Sequence, residues 1–178
     1  MELHVRQKVV YPGQGVCVVE AIRNRKIGGD EMSVYRLRVL NESTTIVVPT
    51  ENAENVGVRP LIDKKQCKTL IRNLSEDFDG VSDNWKTRSR MFIDKLQSGD
   101  IFATADVLKQ LTYLSSEKRL SFREQTLLEK AKFLVVSEIT NANQEEEDVV
   151  SREVSERIES ACAKHLAETA KAANAASG

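Results

Sequence analysis

Val9-Val10-Tyr11-Pro12-Gly13-Gln14-Gly15-Val16-Cys17-Val18-Val19-Glu20-Ala21-Ile22 reads as a strand, a turn and a second strand. Val9-Val10-Tyr11 is β-branched and aromatic, Pro12 to Gly15 break the run, and a largely apolar stretch resumes at Val16. Working outward, Gly28-Gly29-Asp30 turns the chain into Val34 to Leu40. There Tyr35, Leu37 and Val39 alternate with Arg36 and Arg38, the pattern of a half-buried strand. Asn41-Glu42-Ser43 marks another turn before Thr44 to Val48, and Pro49 stops the last run. Short strands joined by hairpin-length turns predict a small closed or nearly closed β-barrel, too narrow to enclose a ligand.

From Asp63 the period changes. Asp63 and Gln66 have the spacing of a helix-capping pair, with Leu70, Ile71 and Leu74 as the apolar face behind them. Residues 75–83 are acidic and polar around Gly80, and read as an exposed linker at which the modules separate and mild proteolysis cuts first. Asp83 is placed to cap a helix running from Asn84 to about Gln97, and Asp100 to cap the next, whose face is Ile101, Ala105, Leu108 and Leu111. Ser121-Phe122-Arg123-Glu124 is a capping box opening a long helix with Leu128, Ala131, Val135, Ile139 and Ala142 in line. A last helix buries Val150, Val154, Ile158 and Ala161 behind an acidic start that suits its dipole. Strands followed by helices, without βαβ alternation, predict an α+β chain of two segregated modules. Residues 1–62 form the β module, 63–160 the compact all-helical module, and 161–178 a helix end with a frayed Ala-rich tail.

Composition narrows the function. The 178 residues are 40% hydrophobic and 30% charged, ordinary for a globular protein, and no apolar run is long enough to span a bilayer. Met1 to Arg6 lack the basic start and apolar core of a signal peptide, so a cytoplasmic location without membrane contact is expected. Cys17, Cys67 and Cys162 are scattered, and His4 and His165 lie near opposite ends, so neither a disulfide framework nor a metal site is expected. Gly13-Gln14-Gly15 lacks the third glycine of a dinucleotide fingerprint, and no phosphate loop or nucleophile–histidine arrangement is present. No catalytic residue, enzyme activity or cofactor is expected. The net charge of −1 is uneven: residues 1–62 carry eight basic against seven acidic side chains, 63–133 fourteen against eleven, and 134–178 four against nine. Any nucleic-acid contact therefore has to come from a local patch in the middle of the chain, with modest and salt-sensitive affinity.

Asn84-Trp85-Lys86-Thr87-Arg88-Ser89-Arg90 is that patch, and it holds the one tryptophan. Cations can meet phosphates while an apolar wedge enters a base step. Trp85, Phe92 and Leu96 also share a helical stripe, so Trp85 can equally be core, and the chain a protein-interaction adaptor without DNA contact. The spacing leaves both readings open. Arg23, Arg25 and Lys26 at the end of one strand, and outward Arg36 and Arg38 on the next, read either as a solvated face or as the flank of an edge that pairs with a partner's strand.

Val9-Val10-Tyr11-Pro12-Gly13-Gln14-Gly15-Val16, Val48-Pro49 and Gly57-Val58-Arg59 resemble the N-terminal domain of the CarD family of bacterial transcription factors, also called CdnL. Asn84-Trp85 with its basic followers, Lys95-Leu96-Gln97-Ser98-Gly99-Asp100, Leu120-Ser121-Phe122 and Ala131-Lys132 resemble its C-terminal module. The likeness spans about residues 1–160; the N-terminal part is also similar to a domain of the transcription-repair coupling factor. It implies a Tudor-like β module that binds the β subunit of bacterial RNA polymerase, with Arg25, Val47 and Pro49 at the matching positions. It implies a helical module at the upstream edge of the melted promoter bubble, where Trp85 is a minor-groove wedge and Lys86, Arg88 and Arg90 are its basic neighbours. A monomer that stabilises the open complex is the expected whole. Cys17 stands where a glycine is common, which bears on the turn geometry of the barrel; Val47 stands where some relatives carry a cation and Thr87 where many carry arginine, and these two imply weaker charge contacts at both interfaces.

Overall fold

The computed structural model describes Met1–Gly178 as two compact units, Met1–Leu61 with Gln97–Gly99, and Ile62–Leu96 with Asp100–Gly178. The first holds β1 (Lys8–Tyr11), β2 (Gly15–Ile27), β3 (Asp30–Val39), β4 (Thr45–Pro49) and β5 (Arg59–Pro60). All neighbours are antiparallel and the sheet order is β4-β3-β2-β1-β5.

β2 and β3 form a long hairpin in which Ile27 pairs with Asp30 across Gly28 and Gly29. Both glycines have positive φ, +64° and +96°, as a two-residue turn matching strand twist requires. The register shifts between Val19 and Ala21, and the extra residue at this bulge, Glu20, faces both outward arginines of β3. Its carboxylate lies 3.2 Å from Arg36 Nε and 2.8 Å from Arg38 Nε. One face of the sheet buries Val9, Cys17, Val19, Tyr35, Leu37, Val39 and Val48, with Leu3, Ala53 and Val58 over it. The Tyr35 hydroxyl accepts the Leu3 N–H at 3.1 Å, which satisfies both polar groups inside that core.

Of the closed or nearly closed barrel that the sequence predicts, the structure forms the open version, a five-stranded antiparallel sheet. β4 and β5 are the two edges and do not pair with each other. β5 is only Arg59–Pro60, and Pro60 has no N–H to extend a ladder, while residues 50–58 carry the chain between the edges through a 3-10 turn. The sheet stays open, with β4 as an unpaired edge strand. The α+β class stands.

The second unit contains α1 (Lys64–Asn73), α2 (Trp85–Gln97), α3 (Ile101–Glu117), α4 (Phe122–Asn143) and α5 (Glu147–Ala176). Asp63 and Gln66 make the capping box expected of them, as do Ser121 and Glu124. The expected apolar stripes are buried: Ile101, Ala105, Leu108 and Leu111 on α3, Ala131, Val135 and Ile139 on α4, and Val150, Val154, Ile158 and Ala161 on α5. Apart from Ala161, these side chains form one continuous core with Phe92 and Leu96 of α2.

Two expectations need correction, the cap of α2 and the linker at residues 75–83. The cap of α2 is Asn84 rather than Asp83: its Oδ1 accepts the N–H groups of Lys86 at 3.0 Å and Thr87 at 3.3 Å, so the helix begins at Trp85. The helix α5 extends through Ala176, so the Ala-rich end takes helical geometry, as the helix propensity of alanine favours. Residues 75–83 are no linker between units but lie wholly inside the helical one. Lys109, almost fully buried, donates from Nζ to the carbonyls of Asn73 (2.9 Å) and Glu76 (3.4 Å), and Gln110 Nε2 donates to that of Asp79 (3.0 Å). Phe78 stacks on His165 of α5 with ring centroids 4.2 Å apart, and Asp77 Oδ1 lies 2.7 Å from His165 Nδ1.

Candidate nucleic-acid interface

Trp85 is the first residue of α2 and is 61% exposed, whereas Phe92 and Leu96 farther along its stripe are buried. A residue in the first turn lies at the end of the helix's buried face, and here the indole projects past it. The Lys86 ammonium lies 5.6 Å from the ring centroid, close enough for cation–π attraction. Lys86 and Arg90 are exposed. Trp85 is thus not core.

Arg88 departs from the sequence-based expectation of a DNA-facing cation. It is 4% exposed, and its Nε and Nη2 donate to Glu124 Oε1 at 3.0 and 2.6 Å. Its Nη1 donates to the Ser82 carbonyl at 2.9 Å. Glu124 Oε2 in turn accepts from the Ser121 N–H and Oγ at 3.2 and 3.3 Å. One carboxylate therefore ties the N-cap of α4 to the first turn of α2, and no donor face of Arg88 is left for a phosphate. Burial by itself would raise the Glu124 carboxyl pKa. Hydrogen bonds from Arg88 and Ser121, with the guanidinium charge, outweigh it and hold the group below the usual carboxylate range.

The cations that do border Trp85 include three outside the Asn84–Arg90 patch. Lys118, Arg119 and Arg123 are exposed, and with Trp85, Ser89 and Leu120 they line a groove of about 610 Å³. A second hollow of about 340 Å³, which shares Trp85, Ser89 and Arg123 with the first, is also lined by Lys86, Arg90 and Ile93. Phe122, the first residue of α4, is 85% exposed. A signal was present: Lys118-Arg119 and Arg123 flank the capping box, so both helix starts, not one, carry cations beside an aromatic.

In the sheet unit, Arg25 is exposed on the distal part of β2 and pairs with Met32. Val47 is 42% exposed on edge strand β4 opposite Arg36, and Pro49 ends that strand opposite Val34. An exposed apolar side chain on an unpaired edge is the surface that a partner's strand can extend. No group of His, Cys, Asp and Glu side chains is arranged to hold a metal ion. Burial pushes the thiols of Cys17 and Cys67 up to about 11, which leaves both protonated and unreactive at neutral pH. No helix is long and apolar enough to cross a membrane.

Comparison with known proteins agrees with this division. Residues 3–62 match the CarD-like/TRCF RID domain, and residues 69–155 match the CarD C-terminal domain. A Bacillus subtilis (strain 168) protein named "Putative transcription factor YdeB" is 27% identical over 138 residues, covering 76% of this chain and 88% of that protein. The solution NMR structure of the 72-residue N-terminal domain of Myxococcus xanthus CarD is 34% identical, covers 33% of this chain and 79% of that one, and superposes with a TM-score of 0.30. With both CarD domains matched in order along its length, the chain belongs to the CarD (CdnL) family.

Proposed function

We propose that this protein is a bacterial transcription regulator, a cytoplasmic monomer without enzymatic activity or cofactor. It binds the RNA polymerase β subunit through residues 1–62 and stabilises the promoter open complex through its helical module, residues 63–160. Arg25, Val47 and Pro49 form the polymerase contact. Trp85, Lys86 and Arg90 form the DNA contact, and Arg88 fixes their geometry instead of joining them. The observation that supports the reading is the exposed indole at a helix start tied down by the Arg88–Glu124 pair, with cations lining both hollows beside it. Phosphate contacts from the cations position the module, and the indole wedges into the minor groove at the bubble's upstream edge. Because the distorted junction exists only after melting, binding to it shifts the closed–open equilibrium toward open by the difference in affinity between the two states. Tethering to the polymerase raises the local concentration, so the small positive excess of the middle segment is sufficient.

Retention of bacterial RNA polymerase on the immobilised protein tests the tether. Arg25→Glu is expected to weaken retention, and Trp85→Ala to leave it unchanged. Retention that survives Arg25→Glu and Val47→Asp together would contradict the assignment of the β unit.

A further inference from the structure

The first helix, α1, carries a charge pattern that the fold does not use. It holds Lys64, Lys65, Lys68 and Arg72 and no acid. At about 100° per residue these cations fall within an arc of about 100°, on the side turned away from buried Cys67, Leu70 and Leu74. All are exposed, and none of their charged groups has an ion pair or a hydrogen bond. Like charges three and four positions apart repel, and Lys64 and Lys65 stand at the positive end of the helix dipole, where cations are disfavoured. The adjacent acid, Asp63, is spent on the cap, accepting the Gln66 N–H at 2.7 Å. Lys64, Lys65 and Lys68 fall in the stretch between the two matched domains. The face holds no aromatic and no large exposed hydrophobic side chain, whereas protein interfaces are built around such anchors and are poor in lysine. A phosphate backbone needs only point charges. From Lys64 to Arg72 the row is about 12 Å long, and a duplex presents about seven phosphates over that length.

We propose that the exposed face of α1 is a second, separate DNA-binding surface, which grips the phosphate backbone of paired duplex without reading its sequence. Trp85 sits beside the start of α4, next to Ser121 and Glu124. The chain entering α1 is tied to the later part of that helix, where Glu138 Oε1 accepts the Ile62 N–H at 3.1 Å. The rise along α4 from Glu124 to Glu138 is about 21 Å. The inference goes beyond the open-complex reading and does not depend on the indole. A contact made equally with DNA before and after melting raises occupancy and leaves the closed–open equilibrium where it was, so α1 anchors the module and the wedge acts on the anchored complex.

The test is the anisotropy of a labelled, fully paired duplex titrated with full-length protein over a range of salt. The Lys65→Ala/Lys68→Ala/Arg72→Ala variant is expected to melt like the wild type, since all three side chains are exposed and alanine favours helix. It should lose about 2.7 of the salt slope, about 0.9 for each phosphate contact, and bind roughly tenfold more weakly at low salt. A control lacking two exposed cations of α5, Arg152→Ala/Lys171→Ala, should keep the wild-type slope. The loss should be the same size when Trp85→Ala is added to the triple variant, because sites this far apart contribute independently. An unchanged slope in the triple variant would overturn the proposal. So would an equal loss per cation in the α5 control, which would reduce the effect to net charge. Tighter binding to phosphatidylserine vesicles than to the duplex would overturn it too, making the partner a lipid surface. Failure of the wedge shows elsewhere, in open-complex lifetimes, and leaves this titration to decide α1.

Discussion

Arg88 and Arg90 stand two positions apart on α2 and face opposite environments. Arg88 is sealed against Glu124 and the Ser82 carbonyl, while Arg90 lines the hollow beside Trp85. Removing one partner of a buried ion pair strands the other charge, so Arg88→Ala is expected to cost roughly 3–5 kcal/mol in chemical denaturation. Lys86→Ala and Arg90→Ala should each stay within about 0.5 kcal/mol of wild type. Each should instead reduce the salt slope of DNA binding by about 1, a change Arg88→Ala has no direct means to produce. The pair also predicts an acid response. The folded-state pKa of Glu124 is depressed, so its contribution is present above the ordinary carboxylate pKa, about 4.3, and is lost as pH falls through the lower folded value. Glu124→Gln should flatten stability against pH in that acid window and leave the neutral-to-alkaline limb unchanged.

At the scale of elements, the segment between α1 and α2 shows why some of the fold was legible and some was not. The stripes of α3, α4 and α5 and both capping boxes follow from residues a few positions apart, and periodicity reports such local relations directly. Residues 75–83 were misread because what holds them is distant in sequence: Lys109 and Gln110 on α3 and His165 on α5. A buried lysine that serves three-dimensional neighbours looks, in sequence, like a solvated one. Arg88 misled for the same reason, as its partner is 36 residues away. Trp85 could not be decided by spacing because N1 lies at the margin of the stripe, and exposure there depends on where the core ends. Whether the sheet closes turns on a detail of similar kind, a last strand of two residues ending in proline. With the clamp in place, residues 75–83 should resist mild proteolysis in the intact protein. His165→Ala, which removes the stack on Phe78 and the contact to Asp77, should make this segment an early cleavage site. Equal cleavage of the two proteins would remove the clamp from the explanation.

Across the whole molecule, the proposed division of labour assigns attachment to the sheet unit and action on DNA to the helical one. Edge strand β4 and the distal hairpin offer the attachment surface, and the starts of α2 and α4 offer the DNA surface. The acidic final segment, four basic against nine acidic residues over 134–178, is expected to keep general DNA affinity low, so the proposed effect on promoters would act through the local cations and the proposed wedge. The half-life of open complexes on linear promoter DNA, measured with saturating wild-type protein or Trp85→Ala, bears on this most directly. Truncating a side chain that is 61% exposed should leave the melting temperature and polymerase retention near those of wild type, while the half-life falls toward its value without the protein. An undiminished half-life with a folded, polymerase-bound Trp85→Ala variant would contradict the wedge.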